Sequence, residues 1–199
     1  MLQEGERMNT TEQLLEEVVG KKVREADAFN IRIDGKCAER KESPYVKIIT
    51  KKEKSGIDVH VKEDTKLAFV HIPVIITESG LTDVVYNDFY IEKNSNVIII
   101  AGCGIHNEHQ KNSEHDGIHR FFLGENAKVK YIEKHYGSGS GDGKKILNPT
   151  TEIYMEPNSS MTMETVQIKG VDDTLRVTKA TLDKNCTLVI NEKILTNQK

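Results

Sequence analysis

The sequence predicts an all-β fold, a right-handed parallel β-helix of coils of about thirty residues, preceded by a short helical appendage. Three observations predict it: a turn element that recurs at near-constant spacing, apolar columns that keep phase on both sides of each turn, and a strand-and-turn texture from Phe29 onward.

The recurring element stands at Asp64-Thr65-Lys66-Leu67, Asn94-Ser95-Asn96-Val97, Asn126-Ala127-Lys128-Val129, Asn158-Ser159-Ser160-Met161 and Asn185-Cys186-Thr187-Leu188, at spacings of 30, 32, 32 and 27 residues. A period in this range marks stacked supersecondary units. Three residues after each anchor come Leu67, Val97, Val129, Met161 and Leu188; five after come Phe69, Ile99, Tyr131, Met163 and Ile190. Three before come Val61, Ile91, Leu123, Met155 and Leu182; five before come Val59, Phe89, Phe121, Ile153 and Ala180. Residues of equal parity share one face of a strand. Each unit therefore has two strands with apolar faces turned inward, joined at an Asn or Asp that tolerates left-handed backbone. One unit cannot bury such a face alone, whereas a stack makes a continuous core. A β-sandwich also repeats short strands, but its strands do not hold fixed columns through five units. The right hand follows from the general preference of parallel crossovers.

The first segment, 1–28, reads as a helical appendage. Thr10 and Gln13 have capping-box spacing, Leu14, Leu15, Val18 and Val19 share one helical face, and Gly20 ends or weakens the helix. The second segment, 29–199, is the β-helix core.

Bulk properties narrow the function classes. A net charge of −3, spread over both signs, gives no reason to expect nucleic acid or a membrane surface as partner. The longest strongly apolar run, Val97 to Ala101, is too short to span a bilayer, and Gln3-Glu4-Gly5-Glu6-Arg7 is not the start of a signal segment, so a cytoplasmic location is expected. Cys37, Cys103 and Cys186 are odd in number and far apart, which suits free thiols in a reducing compartment.

Beyond the apolar columns the inward stripe turns polar. Seven after the anchors stand His71, Ala101, Glu133, Thr165 and Glu192; nine after stand Pro73, Cys103, His135, Gln167 and Ile194; seven before stand Ile57, Asn87, His119, Thr151 and Thr178. Stacked strands lie about 4.8 Å apart. Cys103 and His135 thus become vertical neighbours, with Glu133 one inward step away. Buried polar groups are costly unless paired, so the stripe suggests a hydrated or reactive lane, in which a histidine can support a thiolate for sulfur transfer or metal binding. The alternative is a solvent-exposed rim where the strands end. The histidine-dense stretch from Cys103 to His119 adds His106 and His119 as candidate metal ligands, although its spacing fits no closed zinc pattern and contains no H-E-x-x-H. The loop from Gly137 to Lys145 lacks the Gly at 138 and the Ser or Thr at 145 that a phosphate loop requires, and reads as a flexible surface excursion.

Several motifs occur in order: Ala101-Gly102-Cys103-Gly104-Ile105-His106-Asn107, His115-Asp116-Gly117-Ile118-His119-Arg120-Phe121, and Asn126-Ala127-Lys128-Val129-Lys130-Tyr131-Ile132-Glu133-Lys134-His135-Tyr136-Gly137. In these the chain resembles the SufB/SufD family of iron–sulfur cluster assembly proteins, in its compact archaeal and anaerobe-type form, from about Asp58 to the C-terminus. The resemblance implies a scaffold subunit without turnover of its own. Its partners would be a SufC-type ABC ATPase, a second SufB/SufD-type subunit, and a cysteine desulfurase or other sulfur donor. Its cargo would be a nascent iron–sulfur cluster, with no stable cofactor in the isolated chain. Cys103 occupies the family's sulfur-accepting position, and Glu133, His135, Thr165, Gln167 and Lys169 match its polar lane by column. Typical members continue through more coils, whereas this chain stops at Lys199 inside what should be a further one, so the core is expected to be truncated there. Two other readings stand beside this one: a SufD-like structural partner without its own sulfur chemistry, and a β-helix polysaccharide-active enzyme, whose usual exposed groove of carboxylate and basic residues is not visible here.

Overall fold

The computed structural model describes residues 4–195, with side chains from residue 10 onward; the outermost residues of the two expected segments, 1–3 and 196–199, lie outside the described residues. One helix, α1 (Glu4–Val19), precedes fourteen strands: β1 (Ala28–Ile33), β2 (Lys36–Lys41), β3 (Val46–Thr50), β4 (Gly56–Val61), β5 (Ala68–Ile76), β6 (Thr82–Ile91), β7 (Asn96–His106), β8 (Ser113–Leu123), β9 (Lys128–Ser138), β10 (Lys145–Leu147), β11 (Thr150–Met155), β12 (Ser160–Lys169), β13 (Val177–Leu182) and β14 (Thr187–Ile194). They form two sheets, ordered β2-β1-β5-β7-β9-β12-β14 and β3-β4-β6-β8-β11-β13. Successive members from β4 and β5 onward pair in parallel, so the chain winds as a β-helix of about four turns.

The corners obey the turn chemistry of the sequence. Asp64, Asn94, Asn126, Asn158 and Asn185 all adopt positive φ, between 57° and 61°. Their side chains form a ladder up the solenoid, Asn94 Nδ2 donating to Asp64 Oδ1 at 2.9 Å, Asn126 to Asn94 at 3.0 Å and Asn185 to Asn158 at 3.1 Å. Beside it, Thr65, Ser95 and Ser159 each donate to a carbonyl three residues back, and Cys186 occupies the same place in the last corner, its Sγ 3.1 Å from the Glu156 carbonyl. Left-handed backbone costs a residue with an ordinary Cβ about 1–2 kcal/mol. Asn126→Ala should therefore lower stability by about that amount, and Asn126→Gly should recover most of it. Urea unfolding midpoints would check this, and equal losses in the two variants would refute the backbone explanation.

The columns hold in four of the five units. Val97, Val129, Met161 and Leu188 stack, as do Ile99, Tyr131, Met163 and Ile190, and on the other sheet Val61, Ile91, Leu123, Met155 and Leu182. The first unit departs on its second strand. Ala68, Val70, Ile72 and Val74 pair with Val97, Ile99, Ala101 and Cys103, in place of the expected Leu67, Phe69, His71 and Pro73. Thr65 takes the place of Ser95, as the bonds from Asn96 N to Thr65 O and from Lys128 N to Ser95 O show, and one extra residue follows it. A single insertion reverses the facing of everything beyond it. Leu67 and Phe69 are accordingly exposed, and His71 leaves the interior stripe.

The chain before Gly56 is not a coil. β1 with β2 and β3 with β4 are antiparallel hairpins that extend each sheet at the N-terminal end. The helix also differs from expectation at its start: it is already formed at Glu4, so Thr10 lies within it and not at its cap. Gly20, at φ 84°, closes it by donating to the Glu16 carbonyl at 2.9 Å, a left-handed C-terminal cap. The predicted apolar face is right. Leu14, Leu15, Val18 and Val19 are buried with Val23, Phe29, Ile31 and Ile75 against the outer side of the first sheet. Gly102 makes room for this docking, since a Cβ there would sit 2.3 Å from Val18 Cγ1 and 2.4 Å from the Lys134 carbonyl.

The glycine-rich stretch after β9 is packed where a loose excursion was expected. Gly141 N donates to Asn107 O at 3.1 Å and Gly143 N to His109 O at 2.8 Å. A Cβ on Gly141 would fall 2.3 Å from His109 N, so the absence of side chains lets this loop stack directly on the one below. At the other end of the solenoid, Leu182, Ile190 and Ile194 continue interior columns yet are exposed, because no further strand covers β13 and β14 among the described residues.

Candidate functional site

The polar lane lies inside the solenoid. Parallel register stacks Cys103, His135 and Gln167 in one column, Ala101, Glu133 and Thr165 in a second, and on the facing sheet Asn87, His119 and Thr151 in a third. Cys103 is 2% exposed and Glu133, His135, Thr165, Gln167 and His119 are all buried, which sets aside the exposed-rim alternative for these residues. Cys103, His119, Glu133 and His135 meet, with His115 and Gly117, around a cavity of about 20 Å³, room for one water, which Thr165 and Gln167 do not line.

Hydrogen bonds fix the protonation pattern. Tyr131 Oη donates to Glu133 Oε1 at 2.9 Å, so it must accept from His119 Nδ1 at 2.7 Å. His119 then carries its proton on Nδ1, and its Nε2 faces the Asn87 amide at 3.4 Å as an acceptor. Arg176 Nη1 donates to Glu133 Oε2 at 2.7 Å and Nη2 to His135 Nδ1 at 3.3 Å, which requires a neutral His135 with its proton on Nε2. Electrostatics agree. Burial, against the pull of Glu133, holds both His119 and His135 down at about 4. Burial would raise the Glu133 carboxyl, but His135, Arg176 and His119 outweigh it and bring it to about 2. At neutral pH the lane holds a carboxylate, a guanidinium and two neutral imidazoles.

A second charged group adjoins it. Arg32 forks onto Asp83 at 2.6 and 2.9 Å, and His115 Nδ1 lies 3.3 Å from the same carboxylate. Burial first, then the negative charges of Asp83 and Glu133, push the Cys103 thiol well above its ordinary range. His135 is beside Cys103 as expected, but being neutral it does not draw off the thiol proton; the resting sulfur is a thiol.

Other expected members lie elsewhere. Lys169 has inward parity by counting, but a bulge after Gln167 turns it out; it is exposed, with Nζ 5.5 Å from the Tyr136 ring. His106 and His119 do not come together. His119 is interior, while His106 points outward from β7 to Ser138 Oγ at 2.9 Å and Glu108 at 3.3 Å. Among the described residues no group of three or more His, Cys, Asp or Glu is arranged to hold a metal ion.

Arg176, Asp83, His115 and Tyr131 were missed as lane members. Asp83 and His115 stand eleven residues before Asn94 and Asn126, and Arg176 nine before Asn185, so carrying the columns two steps further would have found all three. Tyr131 was placed in an apolar column, where its ring does belong, but its hydroxyl completes the relay to Glu133.

Together these features define a parallel β-helix with a charged lane inside it, in which Thr165 Oγ1 and His115 Nδ1 make no hydrogen bond. A scan against protein-family models, a search of the curated proteins and a search of the solved structures each found no match. No helix among the described residues is long and apolar enough to cross a membrane.

Proposed function

We propose that the chain is a scaffold subunit of a SUF-type iron–sulfur cluster assembly complex, with Cys103 as the interior thiol that accepts sulfur. The observation that carries this is the convergence of Cys103, His135 and Glu133 on one water-sized interior cavity, in a chain whose motifs resemble SufB/SufD proteins. In transfer from a persulfide donor, the Cys103 sulfur attacks the donor's outer sulfur, the donor's S–S bond breaks, and the thiol proton passes to the departing donor thiolate. A second SufB/SufD-type subunit belongs to this reading through the motifs. A SufC-type ATPase, a cysteine desulfurase and a cytoplasmic location belong to the same reading and rest on the motifs alone. The cluster is cargo, and the chain has no turnover of its own.

A second reading, a SufD-like structural partner, is favoured by one feature: burial and two nearby carboxylates keep Cys103 protonated. Anaerobic incubation with ferrous iron and sulfide separates the two. The scaffold reading expects a visible iron–sulfur absorption band that Cys103→Ser abolishes while the far-UV circular dichroism is unchanged. No band in the wild-type chain, or an equal band in Cys103→Ser, would reject Cys103 as acceptor and leave the structural role.

A further inference from the structure

The N-terminal hairpins and the first coil enclose a separate pocket of about 170 Å³. Its lining includes four cations, Arg32, Arg40, Lys51 and Lys54, together with the thiol of Cys37, and not one carboxylate. Two of the cations are neutralised. Arg32 forks onto Asp83, and Lys51 pairs with Asp58 and with Asp88. The other two are hydrogen-bonded to no carboxylate, although Glu42 lies near enough to Arg40 to interact with its charge. Arg40 donates to Asn30 Oδ1 at 2.9 Å, Thr50 Oγ1 at 2.8 Å and the Ile48 carbonyl at 3.4 Å, and Lys54 Nζ lies 4.1 Å from the centre of the Tyr86 ring. Cys37 Sγ donates to the same Asn30 oxygen at 3.3 Å, which sets the thiol beside the Arg40 guanidinium. Asn30 is itself buried, so this shared acceptor is held in place by the fold.

We propose that this pocket binds a small inorganic anion, of phosphate or sulfate size, against the Cys37 thiol. Two cations with no hydrogen-bonded carboxylate in a half-enclosed space attract an anion, because low-dielectric walls focus the field. A guanidinium offers paired donors suited to tetrahedral oxyanions. The volume admits one such ion with a few waters, each of about 30 Å³ in the liquid. The chain's net charge is −3, so the attraction belongs to this pocket and not to the protein as a whole. The pocket shares Ile72 and Val74 with the cavity at Cys103 but stands apart from the assembly reading, which can fail without it.

The charge of an alkylating reagent reports the field at Cys37. The ratio of the iodoacetate rate to the iodoacetamide rate cancels the thiol's own reactivity and leaves the attraction for the anionic reagent. For the folded chain, followed by mass spectrometry, the ratio at Cys37 should exceed that of the urea-unfolded chain by about tenfold. Lys54→Gln, a surface change, and Arg40→Gln should each reduce it severalfold. Phosphate should slow Cys37 alkylation saturably, where chloride at matched ionic strength does not. An unchanged ratio on folding overturns the proposal, as does protection by phosphate no better than by chloride.

Discussion

Acidification from pH 7 to pH 5 should remove roughly 2 kcal/mol of stability for each of His119 and His135. Both imidazoles are buried and neutral in the fold, held at about 4 against an ordinary 6.5. The unfolded chain binds protons at 6.5 and the folded chain does not until about 4, so protonation favours unfolding throughout that window. The contribution is complete above 6.5, falls as pH drops, and is exhausted near 4. Glu133 has the same sign in a lower window, since its depressed carboxyl contributes above 4.5 and loses that contribution as pH falls toward 2. Acid unfolding should therefore begin with the histidines and steepen with the carboxylate. For a domain of this size, a loss of about 4 kcal/mol lowers the thermal midpoint by roughly 10 °C. Melting followed by circular dichroism at pH 7, 6 and 5 would measure it, with His119→Gln expected to remove about half of the slope. A midpoint that stays flat from pH 7 to pH 5 would mean that these imidazoles are not held neutral by burial.

The same relay explains what the sequence could and could not disclose. Column counting works where each step along a strand reverses the side chain and each coil repeats the last. It placed Cys103 beside His135 and Ala101 beside Glu133 without coordinates. It fails where one residue is added to the count. The extra residue after Thr65 sent Leu67 and Phe69 outward, and the bulge after Gln167 did the same to Lys169. Nothing in their residue types signals either insertion, because strand propensity is indifferent to register. The hairpins before Gly56 escaped for another reason, since β-branched runs look alike in parallel and antiparallel pairing. Electrostatics were the least legible part. A cysteine above a histidine reads as an activated pair, yet the outcome depends first on burial and then on the carboxylates of Asp83 and Glu133, which keep the proton on the sulfur.

Arg176→Met should be among the most damaging single substitutions in the lane, costing about 3–5 kcal/mol at neutral pH. The guanidinium is largely buried and makes the shortest contact to Glu133, which is itself 3% exposed. An ion pair of this kind need not add much net stability, because both charges were stripped of water to form it. Removing one partner is different, since it leaves the other charge buried without compensation. Glu133 would then keep only the Tyr131 hydroxyl and two neutral imidazoles, and its carboxyl would move from below its ordinary 4.5 to above it. That reverses its pH dependence: the variant's extra instability should shrink as falling pH protonates Glu133 within the fold. Pairing the change with Glu133→Gln removes the stranded charge while retaining an acceptor for Tyr131. The double variant should return to within about 1 kcal/mol of the original chain if the damage is electrostatic. Urea unfolding at pH 7 and pH 5 on the three chains would decide the matter. If Arg176→Met costs under about 1 kcal/mol, or costs as much with Glu133→Gln as without it, Arg176 is packing and not the counter-charge of the lane.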